Sequence, residues 1–255
     1  MTLSLEEYES YNPHIKVESN GICATFSTPN RHTVWRAQTL FTKEPDTIEW
    51  ISTFRPDEIL FDIGANVGMY TIWAAKASGV RVFAFEPESQ NYALLNKNIY
   101  LNDLDKTVDA FCIAVSNETR FDQLHLSEFV PGGSCHNFGE AINFQHERFL
   151  APFTQACFST TIDKLILDDK AIPSPNHIKI DVDGIEHKVI EGARGTLERA
   201  DVRSVLIEIN TNLEKHWEII DFMLDLGFDY SQDQVMKSQR KQGSFKGVGN
   251  YVFRR

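Results

Sequence analysis

FDIGANVGMYT, residues 61–71, is the stretch on which the fold turns. An apolar strand ends in Asp62 and Gly64, and the chain then bends through Asn66 and Gly68 toward a helix. Glycine at such a bend tolerates a positive φ and lets backbone approach a ligand closely. A second apolar run, RVFAFE (81–86), ends in Glu86, and Pro87 stands where the following helix would open. A carboxylate at that place accepts hydrogen bonds from both hydroxyls of a ribose.

Outward from this pair the pattern of apolar strand followed by helix repeats, which predicts a largely parallel sheet covered on both faces. Strands are expected at EILFDI (58–63), RVFAFE (81–86), VDAFCIAV (108–115), HIKIDV (177–182) and SVLIEI (204–209). Helices are expected near 69–78, 88–100, 186–194 and 213–226. In the last, Leu213, Trp217, Ile220 and Leu224 recur at helical spacing as a core stripe, Thr211 and Glu214 form a capping box, and Gly227 ends the helix. Residues 116–176 interrupt the rhythm with strand-like FDQLHLSE and STTIDKL around PGGSCHNFGE, an insertion of the kind that shapes a substrate pocket. Residues 1–57 read as an N-terminal cap, with IKVES and GICATF joined at Asn20-Gly21 as a hairpin and a helix from Pro45 to Phe54. FDYSQDQV, a basic loop and GNYVFRR read as a closing antiparallel hairpin on the sheet edge.

Composition excludes several classes. With 25 basic and 36 acidic residues the formal charge is -11, which argues against nucleic acid as a partner, since such binders present a basic stripe. The exception is the tail, where Lys237, Arg240, Lys241, Lys246, Arg254 and Arg255 occur without an intervening acid, as a solvated face or a lure for an anionic substrate. No apolar run approaches the roughly 20 residues that span a bilayer. Glu6, Glu7 and Glu9 stand where a signal peptide would carry Lys or Arg. Cys23, Cys112, Cys135 and Cys157 form no paired motif and are expected to be free, buried thiols. The expectation is a cytoplasmic protein whose oligomeric state is open.

Glycine spacing narrows the ligand. Dinucleotide sites favour G-x-G-x-x-G, whose middle glycine admits a pyrophosphate, whereas here Asn66 holds the middle position; no Walker lysine motif occurs either. A nucleoside without phosphate fits better. At this point the sequence resembles the class I S-adenosylmethionine-dependent methyltransferases, and more narrowly the FkbM family. The resemblance rests on FDIGANVGMYT, FEPE, NKNIYLNDL with Asn98 and Asn102, IAVSN, TTIDKL, KIDVDGIEHKVIEGA and NYVF, in family order over residues 58–255. Asp183 departs from it, because the family most often has Glu there. The resemblance implies a Rossmann-like methyltransferase sheet over residues 58–255 and S-adenosyl-L-methionine as cofactor. It implies that Asp62, Gly64, Ala65, Asn66 and Gly68 serve the methionine end, that Glu86 holds the ribose, and that Ala114, Val115 and Ser116 line the adenine pocket.

Transfer to oxygen requires that the acceptor be aligned and its proton removed or shared. Ligands of open α/β sheets bind outside the carboxyl ends of the strands, which directs attention to Asp181, Asp183, Glu186, His187, Glu208 and Asn210. Asp181 is the first candidate base, with Asp183 on the same side if the strand continues to it, and His187 has an intrinsic pKa suited to the task. Glu186 in the first helical turn reads equally well as a dipole partner. Asp181, Glu208 and Asn210 offer oxygen ligands to a divalent metal, a reading not favoured here. Cys135 and His136 are weaker candidates for substrate contact. The leading expectation is an O-methyltransferase acting on a sugar, glycan or polyketide-like hydroxyl. A nicotinamide-dependent oxidoreductase and a catalytically silent binding module on the same fold are the alternatives.

Overall fold

The structure, a computed structural model, describes residues 3–255, so the first two residues of the expected cap lie outside the described residues. The N-terminal part contains α1 (Leu5–Ser10), β1 (His14–Ser19), β2 (Ile22–Ser27), α2 (Arg31–Thr39) and α3 (Pro45–Ile51). Next come β3 (Ile59–Ile63), α4 (Met69–Ser78), β4 (Arg81–Phe85), α5 (Ser89–Leu101) and β5 (Val108–Phe111). The insertion contributes β6 (Ala114–Val115), β7 (Arg120–Leu126), β8 (Asn137–Phe138), β9 (Phe153–Thr160) and a π-helical turn (Lys164–Asp168). The chain closes with β10 (His177–Ile180), α6 (Glu186–Glu191), α7 (Arg194–Leu197), β11 (Ser204–Asn210), α8 (Glu214–Asp225), α9 (Gln232–Ser238) and β12 (Val248–Arg254).

Six strands form the central sheet in the order β12-β11-β10-β3-β4-β5, with every pair parallel except β11 and β12. Side chains alternate across it, as the pleat requires. Leu60, Val82, Ala84 and Leu206 face α4, α5 and the N-terminal elements, while Phe61, Ile63, Phe83, Phe85, Val205 and Ile207 face the layer holding Val189, Ile219 and Met223. The N-terminal elements share the first of these cores through Phe26, Trp50 and Phe54. Asn98 and Asn102 fasten β2 to α5. Ser27 N–H donates to Asn98 Oδ1 (2.8 Å), Asn102 exchanges two hydrogen bonds with the Thr25 backbone (2.7 and 2.8 Å), and Asn98 Nδ2 donates to Val67 O (2.8 Å).

Several local expectations change. VDAFCIAV is two strands, because the chain leaves the central sheet after Phe111 and Ala114–Val115 pair with β9 in a second, four-stranded sheet, β6-β9-β7-β8. Each half has a core to face, so apart from Asp109 the run is apolar and its break is invisible in periodicity. STTIDKL is strand only as far as Thr160. Asp163 then turns the chain by accepting Gly195 N–H (2.9 Å) and Thr196 N–H (2.7 Å). FDYSQDQV forms no hairpin arm; it gives an isolated Asp229–Arg254 bridge and α9, while β12 pairs with β11 itself. In α8 the buried stripe is His216, Ile219, Ile220 and Met223, with Trp217 and Leu224 turned outward at 50% and 42% exposure. The rotation is set by His216, whose Nδ1 accepts Asn210 N–H (3.0 Å). No capping box forms there, because the Thr211 hydroxyl donates to Gly247 O (3.0 Å).

Helix α2, absent from the sequence reading, begins in a capping box between Asn30 and Thr33. The four cysteines are free, but Cys157 is the buried one, with Cys135 half-buried and Cys23 and Cys112 exposed. Among the described residues no helix is long and apolar enough to cross a membrane.

Candidate functional site

The chain runs outward from β3 through β4 to β5, then crosses back to β10 and β11 on the other side of β3. Between β3 and β10 the winding therefore reverses, and a crevice opens at the carboxyl ends of these two strands. Gly64 lies on one lip and Asp181 on the other, with Asp181 N–H donating to Ile63 O at 3.1 Å. Gly64 has φ +81°, and a Cβ there would stand 1.9 Å from the Asp181 carbonyl oxygen, so only glycine lets the two lips meet. Asn66 follows at φ +51° and Gly68 at φ +82°, completing the turn that sets α4 in motion.

Two cavities flank this turn, and Gly64, Asn66 and Asp181 line both. The first is bounded by Asp62, Ala65, Tyr70, Lys179, Arg36 and Lys43. Asp62 is buried; Thr71 Oγ donates to its Oδ2 (2.5 Å), while Oδ1 meets no protein partner. Burial pushes its carboxyl above the usual range, although the Lys179 ammonium works against this. The second cavity is a slot with apolar walls of Phe85, Ile113, Ala114, Val115 and Ile185 and with Glu86, Asn91, Ser134, His136 and Asp183 among its polar groups. The two Glu86 oxygens accept Asn66 N–H (2.7 Å) and Glu88 N–H (2.9 Å), and each retains a free lone pair. Burial raises the Glu86 carboxyl to about 7 against the pull of those two amides. His136 accepts Ser127 N–H on Nδ1 (3.2 Å), which places its proton on Nε2, a buried atom with no protein partner. Burial, reinforced by Arg36, lowers this imidazole to about 4, so the ring is neutral.

Asp181, Asp183 and Glu208 each offer a carboxylate oxygen within 4.8 Å of the others. Burial favours the neutral acid at all three, and neighbouring charge then separates them. Lys179, itself buried in the middle of β10, sits 2.8 Å from Asp181 Oδ2 and with Lys43 holds Asp181 down to about 2. Asp183 is raised to about 6 by burial and by the adjacent Asp181 charge. Glu208 is pushed well upward by burial and by both aspartates, with Arg240 at 3.7 Å as a partial counterweight. The extended backbone does not persist to Asp183. The strand stops at Ile180, and Asp183 adopts φ +58° with Oδ2 accepting Cys135 N–H (2.7 Å), so the turn rather than the pleat brings the carboxylates together.

Asp62, Gly64, Ala65, Asn66, Glu86, Ala114, Val115, Asp181 and Asp183 thus border one or other cavity. Gly68 shapes the turn instead, where a Cβ would meet Leu95 at 2.4 Å. Ser116 turns its backbone to Thr160 and lies against Gly192, outside the set of residues bordering the slot. His187 lines neither cavity and groups with His146 and His216. His146 Nε2 bonds Gly184 O (2.7 Å) and His216 Nε2 lies 3.3 Å from the buried Glu186, so two of these rings support the 183–186 turn. Asn210 does not join the carboxylates as a metal ligand, because its amide already bonds Phe144 O (2.9 Å) and Asn212 (2.8 Å). Lys179 was missed in the sequence reading; a lone lysine inside the otherwise apolar HIKI was its signal. Arg36 and Asn91, which bind Gly132 (2.8 and 2.7 Å) and so hold the insertion against the turn, carried none.

Comparison with known proteins bears on this geometry. The family model described as Methyltransferase FkbM domain matches residues 62–230. Hexuronic acid methyltransferase AglP of Haloferax volcanii is 25% identical over 199 residues, covering 77% of this chain and 74% of that protein. 31-O-demethyl-FK506 methyltransferase FkbM of Streptomyces tacrolimicus is 28% identical over 204 residues, covering 71% of this chain and 76% of that protein. Among solved structures, Methyltransferase FkbM from Methylobacillus flagellatus shares the fold, with a TM-score of 0.51 and 17% identity over 89% of this chain. This chain spans 55% of that structure's length.

Proposed function

The chain belongs to the FkbM methyltransferase family, and from that premise we propose that it transfers a methyl group from S-adenosylmethionine to a hydroxyl oxygen of a sugar, glycan or polyketide-like acceptor. The observation that carries this reading is the pair of cavities meeting at Gly64, Asn66 and Asp181, each holding one buried polar atom without a protein partner, Asp62 Oδ1 and His136 Nε2. These atoms fit the cofactor's two ends. Asp62 would accept the methionine ammonium, with Arg36 and Lys43 toward its carboxylate. Glu86 would accept the ribose hydroxyls, the slot of Phe85, Ile113, Ala114 and Val115 would take the adenine, and His136 would donate to an acceptor atom of the nucleoside. The N-terminal region would act as a cap on the methionine side, which it borders through Arg36, Thr39, Leu40 and Lys43. When bound, the cofactor supplies an electrophilic sulfonium methyl.

The protein's own part is to manage the acceptor proton. A general base works best with a pKa near the operating pH. Asp183, raised to about 6, meets that condition; Asp181, held near 2 in its ion pair, does not. Asp183 Oδ1 therefore receives the hydroxyl proton, since Oδ2 is engaged by Cys135 N–H. Asp181 remains ionised and keeps Lys179 and the turn in place. This assignment moves the base from the residue the sequence ranked first to its neighbour, and it requires no metal.

Isothermal titration with S-adenosylhomocysteine, with NADH and an EDTA series in parallel, tests the reading. Micromolar binding of the homocysteine product, unaffected by EDTA, is the expected result. Binding of NADH in its place, or of neither compound, would refute it.

A further inference from the structure

We propose that the acceptor lies in the groove between α3, α9 and β12, and that it is an uncharged or amino sugar rather than an apolar macrocycle or a uronate. This inference rests on the methyltransferase reading above and narrows its substrate class. The groove has a volume of about 940 Å³, within the range of small-molecule sites, and Glu208 is one of its lining residues. That carboxylate also has an oxygen within 4.8 Å of carboxylate oxygens of Asp181 and Asp183, so the groove wall adjoins the acids at the crevice. A second connection is Lys43, which borders both the groove and the Asp62 cavity.

The walls decide the chemistry. Pockets for apolar ligands are lined mainly by hydrophobic and aromatic side chains. Here Trp50 and Val252 are buried to 1% and 5% exposure, so Tyr230 is the one aromatic side chain with appreciable surface on a wall that mixes apolar carbon with carboxylates, amides and hydroxyls. The floor is rigid: Gln234 accepts Val252 N–H (3.1 Å) and donates to Asn250 O (2.9 Å), and Ser238 donates to the same carbonyl (2.9 Å). Carboxylates and amides on a fixed floor suit paired sugar hydroxyls, which offer both donors and acceptors. Charge separates the sugars. Lys43 is paired with Glu44 (2.6 Å), whereas burial pushes Glu208 upward and leaves Arg240 at 3.7 Å only partly matched, so Asp46, Glu49, Asp229 and Asp233 face Lys237, Arg240 and Arg254. The unpaired balance is negative, which repels a uronate and favours a neutral or aminated ring.

The test uses the full chain and four acceptor probes, namely cellotriose, chitotriosan, a glucuronate trisaccharide and a macrolide polyol. Transfer is followed with methyl-labelled S-adenosylmethionine, after S-adenosylhomocysteine binding has been measured. Transfer to cellotriose or chitotriosan is expected, with KM raised about tenfold in Glu49→Lys and Asp233→Lys while S-adenosylhomocysteine affinity is unchanged. Transfer to the macrolide or the uronate alone, transfer to none of the four, or a KM indifferent to both substitutions overturns the groove assignment. Loss of S-adenosylhomocysteine binding in the unaltered chain would instead sink the methyltransferase reading on which it rests.

Discussion

Replacing Gly64 with alanine probes the contact between the two lips of the crevice. Two separate costs arise. An L-residue forced to φ +81° loses about 1–2 kcal/mol. The new methyl would stand 1.9 Å from the Asp181 carbonyl oxygen and 2.9 Å from its carbon, so one strand end must move, and such overpacking costs about 1–3 kcal/mol. Restricting the unfolded chain returns about 0.4–1 kcal/mol. The net is a destabilisation of about 1–5 kcal/mol. Gly21, in the hairpin turn at φ +76° with nothing within 4 Å, supplies the control, because Gly21→Ala incurs the backbone cost without the collision. Urea unfolding of both variants beside the parent protein should place Gly64→Ala lower than Gly21→Ala by about 1–3 kcal/mol at an unchanged m-value. Gly64→Ala should also lose S-adenosylhomocysteine affinity, since the displaced group borders both cavities. Equal destabilisation of the two variants, with affinity intact, would refute the argument that close approach is why glycine stands at 64.

Glu86→Ala should weaken S-adenosylhomocysteine binding ten- to a hundredfold, about 1.5–3 kcal/mol, by titration calorimetry; unchanged affinity would remove Glu86 from the ribose. In the parent protein Glu86 sits at about 7, so product affinity should rise with pH through that value as the carboxylate ionises, and a flat profile between pH 6 and 8 would contradict this. Turnover at saturating cofactor should rise as Asp183 loses its proton near pH 6, and Asp183→Asn should cut kcat and abolish that limb; a limb surviving the substitution would assign it to another group. Asp181→Asn should reduce cofactor binding and turnover together, since Asp181 holds Lys179 and borders both cavities, whereas a loss of turnover far exceeding that of binding would return the base role to Asp181.

Much of the central sheet was legible because burial on both faces demands largely apolar strands, a demand that RVFAFE and SVLIEI meet locally and that EILFDI and HIKI meet apart from Asp62, His177 and Lys179. FDIGANVGMYT was readable for a related reason, since a tight turn restricts residue type at Gly64 and Gly68 directly. Contacts between distant segments left weaker traces. Nothing in VDAFCIAV marks the point where Phe111 leaves one sheet and Ala114 joins another, because both destinations are apolar. The stripe in α8 was misjudged because Trp217 looks like core material, whereas the polar His216 is buried to hold Asn210 and meet Glu186. At the site, the residues were visible as acids at strand ends, but their division of labour was not. It depends on Lys179, whose charge separates Asp181 from Asp183, and a proton affinity of that kind belongs to the assembled neighbourhood rather than to any stretch of chain.

The PGGS stretch is secured to the turn at Asn66, to α5 and to the N-terminal elements almost wholly through its own main chain. Asn30 holds Pro131 O (2.8 Å), Arg36 holds Gly132 O (2.8 Å), Asn66 holds Gly133 O (2.6 Å), and Asn91 receives Gly132 N–H (2.7 Å). The anchoring side chains all belong to the scaffold. The attachment therefore rests on main-chain atoms of residues 131–133 and is independent of the side chains carried there. The proposed acceptor groove lies on α3, α9 and β12, which carry none of these four anchors, so its walls can be varied while the PGGS attachment and the turn at Gly64 stay as they are.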